Sequence, residues 1–388
     1  MKIAFFTNCY KPLINGVVSS IVSLKEAYEK KGHQIYIFAP KVEGYRDEEK
    51  NIFRYYSVNL TKKVKYPIAI PLSIRATRVI NYFKPDVIHL HHPFVLSMPA
   101  IMYAAKLKIP KILTIHTQYE RYAYYISPIP KVITNEAIRR IIFNLANKVD
   151  VITTPSHSMK DFISKYGVKK EMVVIPNAID LSLFQEKKDD YSNKLKDQIG
   201  LQENDIVLLY VGRISFEKNI DKIIKAMKIL QKRNVTNIKL LLVGDGNATK
   251  KIKEMVHSLN LNEMVKFVGM VDNEIVKYYY SLSDIFVFAS TSETFGMVII
   301  EAFASGVPVL AVKAPGVIDI VTDRLDGILV EEDVFQFAEN LEMLVKNKDL
   351  RSKLSNGALN KAKNYSIANV SDQMLELYQS LCKIDKTN

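Results

Sequence analysis

The stretch that decides the fold is residues 285–311, which read IFVFASTSETFGMVIIEAFASGVPVLA. It opens with a short apolar run at residues 285–289 and continues through a polar turn into a helical pattern. A second apolar run follows at residues 307–311. A strand, a helix and a second strand in this order predict a βαβ unit with parallel strands. Residues 285–311 therefore indicate an α/β fold.

The same alternation runs through both halves of the chain and predicts two doubly wound, Rossmann-like domains. Domain boundaries are expected at residues 1–184 and 185–365, with a charged linker at residues 185–196 and a last helix in residues 366–388 that returns to the first domain. Folds of this kind bind ligands at the carboxyl ends of their strands, so we expect a cleft between two such edges. The predicted strands are residues 2–7, 34–39, 87–91, 111–116, 149–154, 206–211, 239–243, 265–268, 285–289 and 307–311.

Composition is typical of a globular protein. Hydrophobic residues make up 48% of the 388 residues and charged residues 24%. No apolar run approaches the roughly 20 residues that span a bilayer, and the apolar start is too short for a signal peptide. Only Cys9 and Cys382 are cysteines, which excludes a disulfide framework. We therefore expect a cytoplasmic protein.

The positive charge is concentrated in the first half. Residues 1–180 hold 27 Lys and Arg against 13 Asp and Glu, whereas residues 181–388 hold 27 against 28. A solubilising surface explains such an excess as well as a polyanionic partner does. An anionic membrane and a nucleic acid are the two polyanions to consider.

Two acidic residues flank the predicted helix start within residues 285–311. Glu293 precedes Gly296, and Glu301 lies one turn inside the helix. Backbone N–H groups at a helix start have no internal partners and bind phosphate well. Glu301 is then close enough to bond ribose hydroxyls, and Glu293 is placed to reach a sugar beyond the phosphates.

Two cations, Arg213 and Lys218, follow the predicted strand 206–211. An arginine fork and a lysine point charge together suit a diphosphate. The sequence contains no Asp-x-Asp, the usual metal holder for a nucleotide sugar. We therefore expect a donor site without metal, in which fixed cations stabilise the departing diphosphate.

Glycines follow two predicted strands, Gly16 after the first and Gly244 after residues 239–243. Glycine allows the backbone to approach a phosphate closely, which makes both candidates for donor binding. Neither Gly-x-Gly-x-x-Gly nor a Walker-type loop is present. Their absence argues against a dehydrogenase or a P-loop ATPase.

A histidine and an aromatic segment follow the predicted strand 111–116. His116 stands at the strand end, and Tyr119 and Glu120 come directly after it. His116 is expected to contact the transferred sugar. The histidines at residues 89, 91 and 92 lack acidic or cysteine neighbours at metal-ligand spacing, so we interpret them as strand-end and loop residues.

Together these segments resemble the retaining glycosyltransferases of family 4, which have the GT-B fold. The pair Glu293 and Glu301, with seven residues between them, is typical of that family. The resemblance implies that Arg213 and Lys218 bind the diphosphate, Glu301 the ribose, and that Glu293 and His116 contact the donor sugar. The other donor contacts that it implies are Gly16 at the phosphates, Val271 at the base, and the backbone of Phe295, Gly296, Met297 and Val298.

Within the family, residues 12–20 and 116–120 look similar to bacterial 1,2-diacylglycerol 3-glucosyltransferases. That likeness implies UDP-glucose as donor, a lipid acceptor contacted by Tyr119 and Glu120, and peripheral attachment to the anionic inner face of the cell membrane. Basic residues beside apolar ones suit such an interface. The candidates for membrane contact are Lys62, Lys63, Lys65, Lys131, Arg139 and Arg140.

Three other interpretations stay open. A family member with a soluble or polysaccharide acceptor is the main rival. A two-lobed ligand-binding protein also has paired α/β domains, although it needs neither Arg213 and Lys218 nor the two glutamates. A nucleic-acid-binding role rests on charge alone, and no nucleic-acid partner is expected.

Overall fold

A computed structural model describes residues 1–13, 15–59, 67–121, 131–185 and 190–384. Two compact units divide the chain by their internal contacts. One unit is Met1–Ala178 together with the chain from Ile367 onward, and the other is Ile179–Ser366. The domain boundaries predicted at residues 184/185 and 365/366 stay predictions.

The first unit is built on a parallel sheet that has seven strands within the described residues, in the order β3-β2-β1-β6-β7-β8-β9. A short antiparallel hairpin, β4 with β5, stands apart from it. Chain order reverses between β1 and β6, and in doubly wound folds ligands bind at that reversal. The strands are β1 Lys2–Phe6, β2 Gln34–Pro40, β3 Ile52–Tyr55, β4 Ser57–Val58, β5 Ile68–Ala69, β6 Val87–Leu90, β7 Lys111–Thr114, β8 Val151–Thr154 and β9 Met172–Val174.

Helices cover both faces of this sheet and bury two apolar clusters against it. The first helix begins where the Asn15 side chain accepts a hydrogen bond from the Val18 N–H at 2.9 Å, the usual role of asparagine at an N-cap. The last helix packs against the first one, with Tyr378 and Tyr28 edge to face at 5.9 Å. The helices are α1 Gly16–Lys30, α2 Ile74–Phe83, α3 Ser97–Leu107, α4 Lys131–Ala146, α5 His157–Ser164 and α13 Ile367–Ile384.

The second unit repeats the doubly wound plan. Its parallel sheet has six strands within the described residues, in the order β12-β11-β10-β13-β14-β15. Chain order reverses between β10 and β13, so the loops after these two strands meet at the place where such sheets bind ligands. The strands are β10 Ile206–Val211, β11 Ile238–Val243, β12 Val265–Gly269, β13 Ile285–Phe288, β14 Val309–Val312 and β15 Gly327–Val330.

The helices of the second unit enclose one large apolar core. The prediction of a charged linker at residues 185–196 is wrong from Asp190 onward, because Asp190–Ile199 is a helix. Its Leu195 is buried in this core, and the many charges lie on the solvent face of an amphipathic helix. The helices are α6 Asp190–Ile199, α7 Ile220–Lys232, α8 Thr249–Ser258, α9 Asn273–Ser281, α10 Met297–Ala304, α11 Val334–Lys346 and α12 Lys348–Ala362.

Candidate functional site

Lys218 and Glu293 meet at the chain reversal of the second unit. The loop after β10 carries Lys218, and the loop after β13 carries Glu293. The Lys218 Nζ donates to Glu293 Oε1 at 2.5 Å, and the two side chains are 16% and 18% exposed. The predicted diphosphate cation and the predicted sugar carboxylate are thus each other's partner in the structure.

Asn219 fixes the loop that carries Lys218. It adopts a left-handed conformation, with φ of 53°, which asparagine tolerates better than most residues. Its Nδ2 donates to the Ala289 carbonyl at the end of β13, over 3.1 Å. Sequence analysis did not single out Asn219, although an asparagine directly after a basic loop is a recognisable turn signal.

Arg213, the second predicted cation, is exposed one residue after a glycine turn. The Tyr210 hydroxyl donates to the Arg213 carbonyl at 2.9 Å and so fixes the backbone of the turn. The backbone of Arg213 is therefore fixed at the sheet edge that also carries Lys218, and its side chain is exposed there. This placement suits a fork that closes on an anion.

The helix start predicted at Gly296 is present. Helix α10 begins at Met297, and its N-cap residue, Gly296, has no side chain with which to cap it. Residues before it are held by packing, since the Phe295 ring lies edge to face with Tyr365 at 5.9 Å. An uncapped helix start leaves N–H groups for a ligand. Phe295, Gly296, Met297 and Val298 lie at this helix start, and their predicted contact with the donor stays a prediction.

Glu301 lies in the second turn of α10 and is largely enclosed. Burial raises the pKa of its carboxyl, and a hydrogen bond from the Tyr280 hydroxyl opposes that rise. The donor–acceptor distance from the Tyr280 hydroxyl to Glu301 Oε2 is 2.8 Å. The carboxyl is consequently held in one orientation before any ligand arrives.

Gly244 lies where two turns pack backbone against backbone. A Cβ on Gly244 would lie 2.0 Å from the carbonyl oxygen of Gly212, and its φ is 128°. Gly246 is similar, since its Cβ would lie 2.3 Å from the Ile214 carbonyl oxygen. The turns after β10 and β11 thus press backbone against backbone, which only glycine permits. A donor contact at Gly244 stays a prediction.

Val271 follows the end of β12 at the same sheet edge. The Gly244 N–H donates to the Gly269 carbonyl at 2.8 Å, which joins the two strand ends. Val271 itself is half-buried against the core of the unit. Its predicted role beside the base stays a prediction.

His116 of the first unit belongs to a buried cluster of histidines from two neighbouring strands. The His91 Nδ1 and the His116 Nε2 lie 3.4 Å apart, with the two rings nearly parallel. Burial lowers the pKa of His116 to about 4, an effect that Asn177 partly opposes. His116 is therefore neutral at physiological pH, and its predicted contact with the transferred sugar stays a prediction.

The interpretation of the other histidines as strand-end and loop residues holds for their position but misses their contacts. His89 stacks on His91 with ring centroids 4.0 Å apart. Its Nδ1 lies 2.6 Å from the Tyr378 hydroxyl, and its Nε2 lies 2.5 Å from the Thr114 hydroxyl. Helix α13 is thereby connected through His89 and His91 to the ring of His116. No local sequence pattern predicts these contacts, because they join residues that are far apart in the chain.

The loop that precedes Gly16 is tied to His92. The Asn8 N–H donates to His92 Nδ1 at 3.2 Å, so the ring proton is on Nε2, which faces Cys9 Sγ at 3.4 Å. Asn15 also reaches Cys9 Sγ, at 3.8 Å. A Cβ on Gly16 would meet open space, which leaves the start of α1 accessible to a ligand.

The predicted acceptor residues follow His116 in the same loop. The Tyr119 ring packs edge to face on Phe94 at 4.6 Å. Its hydroxyl and the side-chain oxygen of Gln118 are buried without a partner among the described residues. Buried polar atoms are normally satisfied by protein or water, so both are candidates for contact with a bound molecule. Glu120 lies beside Tyr166, whose pKa is raised first by burial and then by this carboxyl.

The predicted membrane contacts divide into described and undescribed residues. Lys62, Lys63 and Lys65, and the side chain of Lys131, lie outside the described residues. Arg139 and Arg140 are exposed on α4 and share the Glu136 carboxylate, at 3.7 and 3.2 Å. The same helix exposes Val132 and Ile133. Basic and apolar side chains thus occur together on α4, as membrane contact would require.

A second apolar surface lies around the hairpin β4–β5 and helix α2. Tyr56, Leu72, Ile74 and Tyr82 are each more than two-thirds exposed there. Scattered apolar residues are ordinary on a surface, but several together mark an interaction site.

Among the described residues, no helix has the length and apolarity to cross a bilayer. No group of three or more His, Cys, Asp or Glu side chains in these residues is arranged to hold a metal ion.

Comparison with known proteins connects this geometry to a family. Residues 14–183 match the family model described as Glycosyltransferase Family 4, and residues 192–361 match the model described as Glycosyl transferases group 1. The alpha-monoglucosyldiacylglycerol synthase of Streptococcus pneumoniae is 33% identical over 353 residues, which cover 90% of this chain and 80% of that protein. The chain belongs to the family 4 glycosyltransferases. The prediction of family, of the GT-B fold and of glycosyltransferase activity is thereby confirmed.

Two further relatives of this family 4 glycosyltransferase extend the likeness over the whole chain. The alpha-monoglucosyldiacylglycerol synthase of Acholeplasma laidlawii is 28% identical over 399 residues, covering 100% of this chain and 98% of that protein. The crystal structure of Anabaena HepE in complex with UDP covers 98% of this chain and 100% of that chain, with a TM-score of 0.77 and 21% identity. At that identity the structural likeness supports the fold alone.

Proposed function

We propose that this family 4 glycosyltransferase moves glucose from UDP-glucose to diacylglycerol with retention of the anomeric configuration. The observation that carries the proposal is the site at the chain reversal of the second unit. There Lys218 faces Glu293 at 2.5 Å, beside the uncapped start of α10. Cations, a carboxylate and a helix start at one sheet edge suit the diphosphate and sugar of a nucleotide sugar.

The proposal gives the donor residues separate tasks. Arg213 and Lys218 bind the diphosphate, and Glu301 accepts hydrogen bonds from the ribose. Glu293 and the neutral His116 contact the glucose. UDP as the nucleotide is supported by the UDP complex of Anabaena HepE, and glucose by the names of the two curated relatives.

No metal is needed in this proposal. When the glycosidic bond breaks, negative charge collects on the departing diphosphate. Lys218, Arg213 and the Val298 N–H group are the donors proposed to meet that charge, and preorganised donors stabilise a transition state without reorganisation. Transfer is therefore expected to continue in the presence of EDTA.

The acceptor part of the proposal rests on the first unit and on its relatives. The first half of the chain carries the positive charge, and apolar side chains are exposed beside Arg139 and Arg140 on α4 and around α2. Basic residues gain about 1 kcal/mol each near an anionic leaflet. We propose that this unit rests on the inner face of the cell membrane, where a lipid acceptor reaches Tyr119 and Glu120.

The reaction follows from these assignments. The bond between the anomeric carbon and the diphosphate oxygen breaks, and the acceptor hydroxyl oxygen bonds the same carbon on the same face. The acceptor proton passes to the departing phosphate oxygen, so no protein group serves as nucleophile. Attack on the same face retains the anomeric configuration. The neutral His116 and the ion-paired Glu293 serve only to position the sugar.

An acceptor panel tests the proposal. The purified protein is given UDP-glucose with diacylglycerol in anionic mixed micelles, with malate, or with an oligosaccharide, and radiolabelled product is counted. Product on diacylglycerol alone supports the lipid acceptor, whereas product on malate or oligosaccharide assigns a soluble one.

Co-sedimentation with phosphatidylglycerol vesicles, but not with phosphatidylcholine vesicles, supports membrane attachment. The double variant Arg139→Ala with Arg140→Ala should bind phosphatidylglycerol vesicles more weakly than the wild-type protein.

A further inference from the structure

Tyr280 is a buried tyrosine whose hydroxyl reaches the predicted ribose carboxylate. It lies on α9 and is fully buried. Its ring packs against Phe184 and Phe286, each with ring centroids 5.8 Å away. Burial raises the pKa of Tyr280 well above its ordinary value, with a further contribution from Glu301. Tyr280 is consequently a neutral hydrogen-bond donor at any physiological pH.

The hydroxyl of Tyr280 has two acceptors on α10. Glu301 Oε2 lies 2.8 Å away and the Val298 carbonyl oxygen lies 3.1 Å away. A single proton is shared between a carboxylate and the backbone of the helix's first turn. Because a hydrogen bond to a carboxylate is the stronger of the two, the contact with Glu301 dominates.

These contacts fix the carboxylate relative to the helix start. Oε2 accepts from Tyr280, which leaves Oε1 and the second lone pair of Oε2 to accept from a ligand. Val298 belongs to the segment that is proposed to meet the phosphates. One side chain therefore sets both the orientation of Glu301 and its distance from the phosphate-binding backbone.

We infer that Tyr280 is a positioning residue for nucleotide recognition, which holds Glu301 so that its carboxylate discriminates a ribose from a sugar without hydroxyls. The inference rests on the proposed function, because it takes Glu301 as the ribose contact. Tyr280 itself does not touch the nucleotide. Its effect appears only in ligands that carry the ribose hydroxyls, since these are the groups that Glu301 binds.

Calorimetric titration with UDP and with 2′,3′-dideoxy-UDP tests the inference. Wild-type protein should prefer UDP. In Tyr280→Phe, which keeps the ring and removes the hydroxyl, this preference should fall by about tenfold, the scale of one hydrogen bond to a charged group. Tyr279→Phe, on the same helix and also buried, is the matched control and should keep the preference.

A purely structural role for Tyr280 would weaken both ligands equally and leave their ratio unchanged, which would overturn the inference. Glu301→Gln provides a second measurement. If Tyr280 acts through Glu301, the double variant Tyr280→Phe with Glu301→Gln should have the same preference for UDP over 2′,3′-dideoxy-UDP as Glu301→Gln alone. A further loss of this preference in the double variant would contradict the inference. Wild-type protein that binds neither ligand would refute the proposed donor site itself, and the inference with it.

Discussion

The ion pair between Lys218 and Glu293 has a testable consequence for donor binding. In the unliganded protein the two side chains are less than one-fifth exposed and bond at 2.5 Å. A diphosphate that binds Lys218 must therefore compete with Glu293. Removing the negative charge with Glu293→Gln should leave Lys218 with an unsatisfied positive charge that gains more from a phosphate.

The size of the effect follows from the contact. A hydrogen bond between charged groups contributes about 1.5–3 kcal/mol net, and a diphosphate replaces only part of what Glu293 supplied. We expect UDP to bind Glu293→Gln about tenfold more tightly, equivalent to about 1.4 kcal/mol. The transfer rate should nevertheless fall by about a hundredfold, because the sugar loses a positioning contact.

Isothermal titration with UDP, and initial rates with UDP-glucose, measure the two effects separately. The matched control is Glu342→Gln, which removes a carboxylate that pairs with Arg233 at 2.7 Å and with Lys346 at 2.6 Å on the surface of the same unit. It should leave UDP affinity unchanged, since Glu342 lies on α11 and is not among the residues proposed to contact the donor. Unchanged or weaker UDP binding by Glu293→Gln would refute the competition between Glu293 and the diphosphate.

Three further outcomes are expected. Lys218→Ala should lower the transfer rate by on the order of a hundredfold, the scale of one lost electrostatic contact; initial rates near those of wild type would show that the diphosphate is held elsewhere. Gly244→Ala should cost about 3 kcal/mol of stability in urea unfolding, because its Cβ overlaps the Gly212 carbonyl at a positive φ. Gly200→Ala, also at a positive φ but facing open space, should cost about 1 kcal/mol; equal costs would contradict the overlap. Finally, burial raises the pKa of Glu301, and its charged form is the better ribose acceptor, so UDP affinity should decline as pH falls through that raised value. A Glu301→Gln variant should lose this acid limb, and an identical pH profile would be inconsistent with the assignment.

Much of the fold follows from local patterns in the sequence. Strand β10 occupies the predicted residues 206–211. Apolar runs bounded by turns are sufficient for such elements. The sequence analysis missed β3, β9 and β15, which have three or four residues each. All three are edge strands with partly exposed residues, so they lack the continuous apolar run of the central strands.

The part of the site that could be predicted consists of residues that come directly after strands along the chain. Arg213, Lys218, Glu293 and Glu301 come from the loops and helix beside β10 and β13, and the doubly wound topology alone predicts that these loops meet. Contacts that depend on three-dimensional packing were not predictable. Tyr280 reaches Glu301 from the preceding helix, and a tyrosine in an amphipathic helix gives no signal beyond its burial.

Gly244 shows how one residue type supports two explanations. In the sequence, a glycine after a strand predicts close approach of a phosphate. In the structure, the same glycine is required because the Gly212 backbone fills the place of its side chain. The pattern was informative about a close approach, but the approaching group is another part of the chain.

The most direct test of the central claim is the stereochemistry of the product formed from UDP-glucose and diacylglycerol. The protein is incubated with both in mixed micelles that contain phosphatidylglycerol, and the lipid product is examined by proton NMR. We predict an α-glucosyl diacylglycerol, identified by the small coupling constant of its anomeric proton. A β-glucosyl lipid would contradict retention, and hydrolysis of UDP-glucose without any glucolipid would contradict the lipid acceptor.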